Sequence, residues 1–234
     1  MNNSCERVVE PELLDELPPQ DRRALRSRFD LRRLNAWMNH TPLMARSLSQ
    51  NLGSSPPPRI AEIGAGDGHF FLTVAKVLRI RWPQADVTLV DRLNAFDTTV
   101  IERLNQSGWR TRTEIATASE WLQQSAGSFD AIIANLFLHQ FKTDDLAAML
   151  RSAARSAKLF VALEPRRAWL PSLCGCFLWA IGCNSVTRHD AGVSIRAGFS
   201  GHELSDLWPD KNNWQVTERH AGLFSHLFIA RRTT

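Results

Sequence analysis

Between Arg59 and Pro165 the chain alternates short apolar runs with amphipathic stretches, and this alternation restricts its fold more than any other feature. "RIAEIG" (59–64) reads as a strand, and "DGHFFLTVAKVLRIR" (67–81) as a helix with Phe71, Val74, Ala75 and Leu78 on one face. "ADVTLVDR" (85–92) is a second strand, followed by a helix near 94–107, and "TRTEIATA" (111–118) is a weaker third strand. "FDAIIANLFL" (129–138) is apolar nearly throughout, as a strand buried on both faces must be. Thr143 is expected to cap a helix that carries Asp144 and Asp145 in its first turn and runs to about Ala157. "KLFVALEP" (158–165) is the fifth strand. Strands and helices in this order require an α/β fold with a doubly wound, mostly parallel sheet. The ending "WQVTERHAGLFSHLFIARR" (214–232) breaks the alternation. Its two strand-like runs are joined by "AGLF", too short for a crossover helix, so they are expected to pair as an antiparallel hairpin and bring the sheet to seven strands.

A helical preface precedes this region. In "QDRRALRSRFDLRRLNAWM" (20–38), Leu25, Phe29, Leu34, Trp37 and Met38 recur at helical spacing among arginines. Pro42 is expected to interrupt the helix, with a second short one over 43–48, and "NLGSSPPPR" (51–59) reads as a stiff linker. Residues 1–51 are therefore read as a helical cap and 52–234 as the α/β domain, with 165–213 as an insertion that shapes a substrate pocket. The net charge is +4 and arginines crowd residues 21–34. A solvated helix face explains such a run as well as an anionic partner does, so nucleic acid is not an expected partner. Cys5, Cys174, Cys176 and Cys183 match no common metal spacing, and they read as free thiols with no metal expected. The N-terminal residues lack a basic start followed by an apolar run, and a cytoplasmic location is the expectation.

The turn "EIGAGDGHFF" (62–71) joins the first strand to the first helix. A helix N-terminus offers unpaired N–H groups, and Gly64, Gly66 and Gly68 let a ligand approach the backbone, so a nucleotide pocket is expected here. A dinucleotide fingerprint asks for G-x-G-x-x-G, and His69 stands where its third glycine belongs. Glu62 would sit poorly beside a pyrophosphate but suits a ligand bearing an ammonium group, as S-adenosylmethionine does. Asp91 ends the second strand 23 residues after Gly68, where both cofactor classes use an acid to hold ribose hydroxyls. Arg92 beside it suits a 2′-phosphate and keeps a nicotinamide reading open.

"AEIGAGDG" (61–68), "TLVDR" (88–92) and "FDAIIANLFLHQF" (129–141) resemble the successive motifs of class I S-adenosylmethionine-dependent methyltransferases. The resemblance covers residues 59–165, and the terminal hairpin is similar to the reversed last strand of that Rossmann-like fold. It implies S-adenosylmethionine as cofactor, with Gly64, Ala65, Gly66 and Gly68 around its methionine part and Glu62 on its ammonium. Asp91, with Arg92 beside it, would meet the ribose, and Asn135 and Leu136 would face cofactor and acceptor. The family often places an acid after the third strand to hold the adenine amine. "EIATASEWL" (114–122) offers Thr117, Ala118 and Ser119 instead, so Ser119 or backbone groups are expected in that role.

Members that methylate base or glutamine nitrogens typically carry an Asn/Asp-Pro-Pro-aromatic sequence after the fourth strand. "NLFL" (135–138) lacks the prolines and looks more like the small-molecule branch, including enzymes acting on quinones, polyketides and phenolic lipids. The resemblance thus implies O-methylation of a small, apolar, aromatic or polyketide-derived acceptor. C-methylation of an activated ring, an RNA acceptor, and a non-catalytic cofactor-binding module are the alternatives. A phenolic hydroxyl benefits from a general base, and in a chain without tyrosine histidine is the natural candidate. His189, in the polar tract "NSVTRHDAGVSIRAGFSG" (184–201) with Arg188 or Arg196 as orienters, is one candidate base. His139, four residues beyond Asn135, is the other, whereas His226 is expected to pack within the hairpin. "AWLPSLCGCFLWAIGC" (168–183) is too short to span a bilayer and reads as a buried helix or as a wall for a greasy acceptor. If exposed, it would join the arginines of 22–33 in a transient contact with an anionic membrane surface.

Overall fold

Seven strands form one sheet in the order β3-β2-β1-β4-β5-β7-β6. They are β1 (Arg59–Ile63), β2 (Ala85–Asp91), β3 (Trp109–Ile115), β4 (Phe129–Asn135), β5 (Ala157–Pro165), β6 (Trp214–Ala221) and β7 (Ser225–Arg232). In this computed structural model, which describes residues 6–53, 58–167 and 178–233, β1 to β5 run parallel. β7 is antiparallel to both β5 and β6, so the terminal hairpin closes one edge of the sheet as its short connection requires. The chain winds outward from β1 to β3 and then crosses back to β4. A crevice therefore opens at the C-terminal ends of β1 and β4, the place where open α/β sheets bind ligands.

The central strands are buried on both faces. Ile60 and Ile133 enter one core with Phe71, Val74 and Leu78 of α4 (His69–Leu78), Val100 and Leu104 of α5 (Thr98–Gln106), and Met44 and Leu48 of α3 (His40–Asn51). Ala61 and Ile132 enter the other, with Leu122 of α6 (Ala118–Gln124) and Leu146, Met149 and Leu150 of α7 (Thr143–Ser156). Adjacent residues serve opposite cores, which is the period-two consequence of strand geometry.

The preface folds as α1 (Leu13–Glu16), α2 (Arg22–Trp37) and α3; residues of α1 and α2 line the crevice, whereas α3 packs into the first core through Met44 and Leu48. Pro42 does not break the helix as expected. It sits in the first turn of α3, where no backbone N–H is required, and the break falls instead at Asn39, whose φ is +62°. Thr143 is likewise the first helical residue rather than the cap: Lys142 holds the cap position without a side-chain bond. The polar tract around His189 folds as α8 (Ser185–Ala197), capped by the Asn184 side chain on the Thr187 N–H. A short α9 (Glu203–Leu207) leads into the hairpin. Of the apolar run 168–183, residues 168–177 lie outside the described residues, as do Cys5, Cys174 and Cys176. Leu178 and Cys183 are buried against Leu34 of α2, and Cys183 is a free thiol.

Candidate active site

After β1 the backbone enters the left-handed region three times, at Gly64 (φ +70°), Gly66 (+56°) and Gly68 (+78°). At Gly64 a side chain is excluded twice over, because a Cβ there would stand 2.2 Å from the Phe137 ring. The Gly66 N–H donates to Asp91 Oδ2 at 2.8 Å and the Leu93 N–H to Asp91 Oδ1 at 2.9 Å, which locks the acid of the second strand onto the glycine turn. Glu62 is buried beneath that turn, and its Oε2 has no hydrogen-bond partner among the described residues. Burial, reinforced by the charges of Asp67 and Asp91, pushes its carboxyl well above the usual range. An unpaired buried polar atom costs stability unless something pairs with it. A cation entering from the cavity would supply that partner, and the residues fit the ammonium end of an amino-acid-bearing cofactor.

A cavity of about 830 Å³ occupies the crevice, enough for a nucleoside cofactor and a small acceptor together. Glu62, Gly64, Ala65, Gly66, Asp91, Arg92, Ser119, Asn135 and Leu136 all line it. Gly68 does not; it caps α4 and lies so close to Leu89 that a Cβ would stand 2.9 Å from it. Arg92 lines the wall but is ion-paired with Asp15 of α1 at 3.2 Å, so its charge is already answered within the chain. Thr117 spends its hydroxyl on a capping box with Glu120, leaving Ser119 as the side-chain hydroxyl on the first turn of α6. Leu136 adopts φ +52° and donates its N–H to the Leu163 carbonyl at 2.8 Å.

Asn135 is held by the cap rather than left free for a ligand. Its Oδ1 lies 2.7 Å from His40 Nδ1, and its Nδ2 donates to Asn35 Oδ1 at 3.0 Å. An amide oxygen only accepts, so His40 Nδ1 carries the proton and Nε2 accepts from the Ser225 hydroxyl at 2.7 Å. Burial lowers the His40 pKa to about 4, against the opposing bond to Asn135, and its imidazole is neutral.

Of the two candidate bases, one lies away from the cavity and the other has both ring nitrogens engaged. His189 is half exposed on α8, bonded to Asp190 at 3.0 Å, and is not among the cavity-lining residues. The helix turns it outward while Thr187, Asp190, Ala191 and Ser194 face inward. His139 does line the cavity, yet both its nitrogens are occupied, Nδ1 by Glu164 at 2.8 Å and Nε2 by Glu12 at 3.0 Å. Burial opposes its charge, but the bonds to Glu12 and Glu164 prevail and raise its pKa to about 9. At neutral pH it is an imidazolium clamped between two carboxylates, with no lone pair to accept a proton. His226 is buried in the hairpin and bonded to Glu218 at 2.7 Å.

Several residues of this site carry no local signal in the sequence. Glu164 ends β5 and accepts from the Phe137, Leu138 and His139 N–H groups, so it shapes the loop after β4. Glu12 also accepts from Gln140 and pairs with Ser194, and Asp190 caps α1 through the Leu13 and Leu14 N–H groups. Arg7 donates to the His139, Phe141 and Ala197 carbonyls. The N-terminal segment is thus stitched to both β4 and α8 across the cavity. A carboxylate directly before Pro165 was the one available hint at Glu164.

Residues 60–158 match the family described as a methyltransferase domain. No curated protein sequence matches the chain. Among solved structures, an O-methyltransferase family protein from Burkholderia thailandensis is 19% identical with a TM-score of 0.59, covering 92% of this chain and 61% of its own. This chain therefore spans about three fifths of that relative's length. The plantazolicin methyltransferase BamL, in complex with a triazolic desmethylPZN analog and SAH, has a TM-score of 0.64 at 10% identity and covers 94% of this chain and 93% of its own. The magnesium protoporphyrin IX methyltransferase of Synechocystis, with bound SAM, has a TM-score of 0.55 at 12% identity, covering 84% and 79%. Likenesses at these identities establish the fold.

Proposed function

We propose, from the match of residues 60–158 to the methyltransferase domain family, that the protein transfers a methyl group from S-adenosylmethionine to an oxygen of a small, largely apolar acceptor. The observation that carries this reading is Glu62, a buried carboxyl whose Oε2 has no partner among the described residues, set under a glycine turn that is itself tied to Asp91. Bound there, the cofactor supplies a methyl group on a positively charged sulfur. Glu62 would take its ammonium and Asp91 its ribose hydroxyls, with Ser119 and the backbone of 116–118 beside the adenine. The rest of the cavity wall is mostly apolar, including Leu31, Leu34, Met38, Phe137, Phe141 and Leu178. Such walls exclude water and hold an acceptor in line with the reacting carbon, and alignment alone supplies roughly 7–11 kcal/mol of a displacement barrier.

Calorimetry with S-adenosylmethionine and with NAD(H) tests the cofactor. Binding of the first and not the second is expected, and Asp91→Ala should weaken it by roughly tenfold or more through lost charge-assisted bonds. Affinity for the nicotinamide cofactor alone would overturn the reading.

A second partner is supported by the rim of the cavity. Leu25, Phe29 and Trp37 are exposed along one face of α2 that also carries Arg22 and Arg26. Exposed Trp179 lies in the segment that Arg26 and Arg33 bind through the Gly182 and Ile181 carbonyls. Exposed Leu223 precedes Phe224, whose ring lies 4.8 Å from that of Trp37. Apolar side chains interspersed with arginines suit transient contact with an anionic lipid surface that stores an apolar acceptor. Co-sedimentation with phosphatidylglycerol vesicles, lost in phosphatidylcholine and after Phe29→Ser with Trp179→Ser, is the expected result. Equal binding to both lipids would remove the charge argument.

A further inference from the structure

We propose that the acceptor oxygen belongs to an ionised carboxylate, that Arg166 receives that carboxylate, and that the product is a methyl ester. This deepens the methyltransfer reading and rests on it.

Two observations lead here. The first is that, among the described residues, the cavity offers no group free to act as a base. His139 is the one histidine on its wall among the described residues, and both of its nitrogens are engaged. The acids on the wall are committed as well. Asp67 pairs with Arg32 at 2.6 Å, Asp15 with Arg92, and Glu12 with His139, Gln140 and Ser194. Both oxygens of Asp190 accept from the start of α1. Asp91 is fixed to the glycine turn, and Glu62 lies beneath it on the cofactor side. No lysine lines the cavity among the described residues. A phenol or alcohol arrives protonated and needs a base, whereas a carboxylic acid is already ionised at neutral pH.

The second observation is a charge without an answer. Arg166 follows β5 and lines the cavity, with Phe224, Leu223 and Trp37 also on its wall. The backbone of Arg166 is fixed by the bond from its N–H to the Phe224 carbonyl at 2.8 Å and by a bridge to Phe199. Its guanidinium forms no ion pair or hydrogen bond among the described residues. Residues 168–177, which follow it in sequence, contain no carboxylate. By contrast Arg32 and Arg92 on the same wall each hold an acid, and Arg28 sits near Asp67 and Asp91 on the cofactor side. A half-buried guanidinium on an apolar wall selects an anion, and its planar fork matches a carboxylate.

The chemistry balances without a proton acceptor. One carboxylate oxygen forms a bond to the methyl carbon as the carbon–sulfur bond breaks, and that electron pair remains on sulfur. The negative charge of the acceptor and the positive charge of the sulfonium cancel, and no proton is released.

The test incubates the full chain with methyl-labelled S-adenosylmethionine and two sets of acceptors matched in size, apolar carboxylic acids and phenols. Label is expected in the acids, released as methanol in alkali, with a rate that stays flat across neutral pH. Arg166→Gln should raise KM for the acid by roughly 10- to 100-fold with cofactor affinity unchanged, and Arg166→Lys should recover part of it. Alkali-stable methylated phenols as the only products, or a KM indifferent to Arg166→Gln, would overturn the proposal. Cofactor binding without transfer to any acid would also overturn it while leaving the cofactor assignment standing. Absence of cofactor binding would instead remove the methyltransfer reading itself.

Discussion

Glu62→Gln is expected to weaken S-adenosylmethionine binding by roughly 10- to 100-fold, the loss of a charge-assisted bond in a dry site, while making the cofactor-free protein more stable. The two effects have one cause. Glu62 is fully buried, its Oε2 has no partner among the described residues, and burial holds its pKa well above the ordinary value of 4.5. In the unfolded chain it ionises near that ordinary value, and in the fold it ionises later. Between the two the unfolded state binds fewer protons, so stability falls as pH rises through this window, and the full penalty is present above the folded pKa. Glutamine has no such penalty. Cofactor binding should have the opposite sense: the ammonium favours the ionised carboxylate, so affinity should rise with pH over the same window in wild type and stay flat in the variant. Calorimetry at several pH values, beside thermal unfolding of the cofactor-free forms, reads both. A variant that binds the cofactor as tightly as wild type would dismiss Glu62 as the ammonium site.

The contrast between Glu62 and His189 shows how far the sequence reaches. The place of Glu62 at the crevice was legible because the signal is local: strand, turn and acid lie within a few residues, and parallel α/β geometry brings that turn to the crevice wherever it occurs. The place of Asp91 on the same wall was legible for the same reason, one crossover later. The direction of His189 was not legible, because the polar tract around it gives no apolar period that would set a helical phase. Asn184 caps a helix there, and helical phase turns the histidine out while presenting Asp190 and Ser194 inward. Pro42 failed in a similar way, since position within the first helical turn decides whether a proline breaks a helix or begins one. His40, Glu12 and Arg7 were beyond reach altogether. Their partners Asn135, His139 and Phe141 stand about a hundred residues away, and only the docking of the cap onto the sheet brings them together.

His139→Ala should cost about 3–5 kcal/mol, the price of leaving carboxylates buried without their shared cation. Glu12 comes from the cap, Glu164 from β5, and the imidazolium between them is the electrostatic link joining the two. Removing it leaves two acids facing each other, and Glu164 also holds the three N–H groups that shape the loop after β4. For a chain of this length the loss corresponds to a fall in Tm of roughly 10 °C. Limited proteolysis should show the N-terminal segment released before the sheet unfolds, and adding Glu12→Gln to the variant should recover part of the stability by removing one unpaired charge. The wild type carries its own version of this experiment. The folded His139 titrates at about 9 against 6.5 for the free side chain. A raised pKa contributes stability that is complete below the unfolded value and lost as pH rises through the folded one. The link should therefore hold at neutral pH and loosen above about pH 9, where the cap becomes susceptible to protease while the core spectrum is unchanged. Alkaline pH that leaves the cap as protected as at neutrality would show that Arg7 and the capping of α1 by Asp190 suffice to hold it.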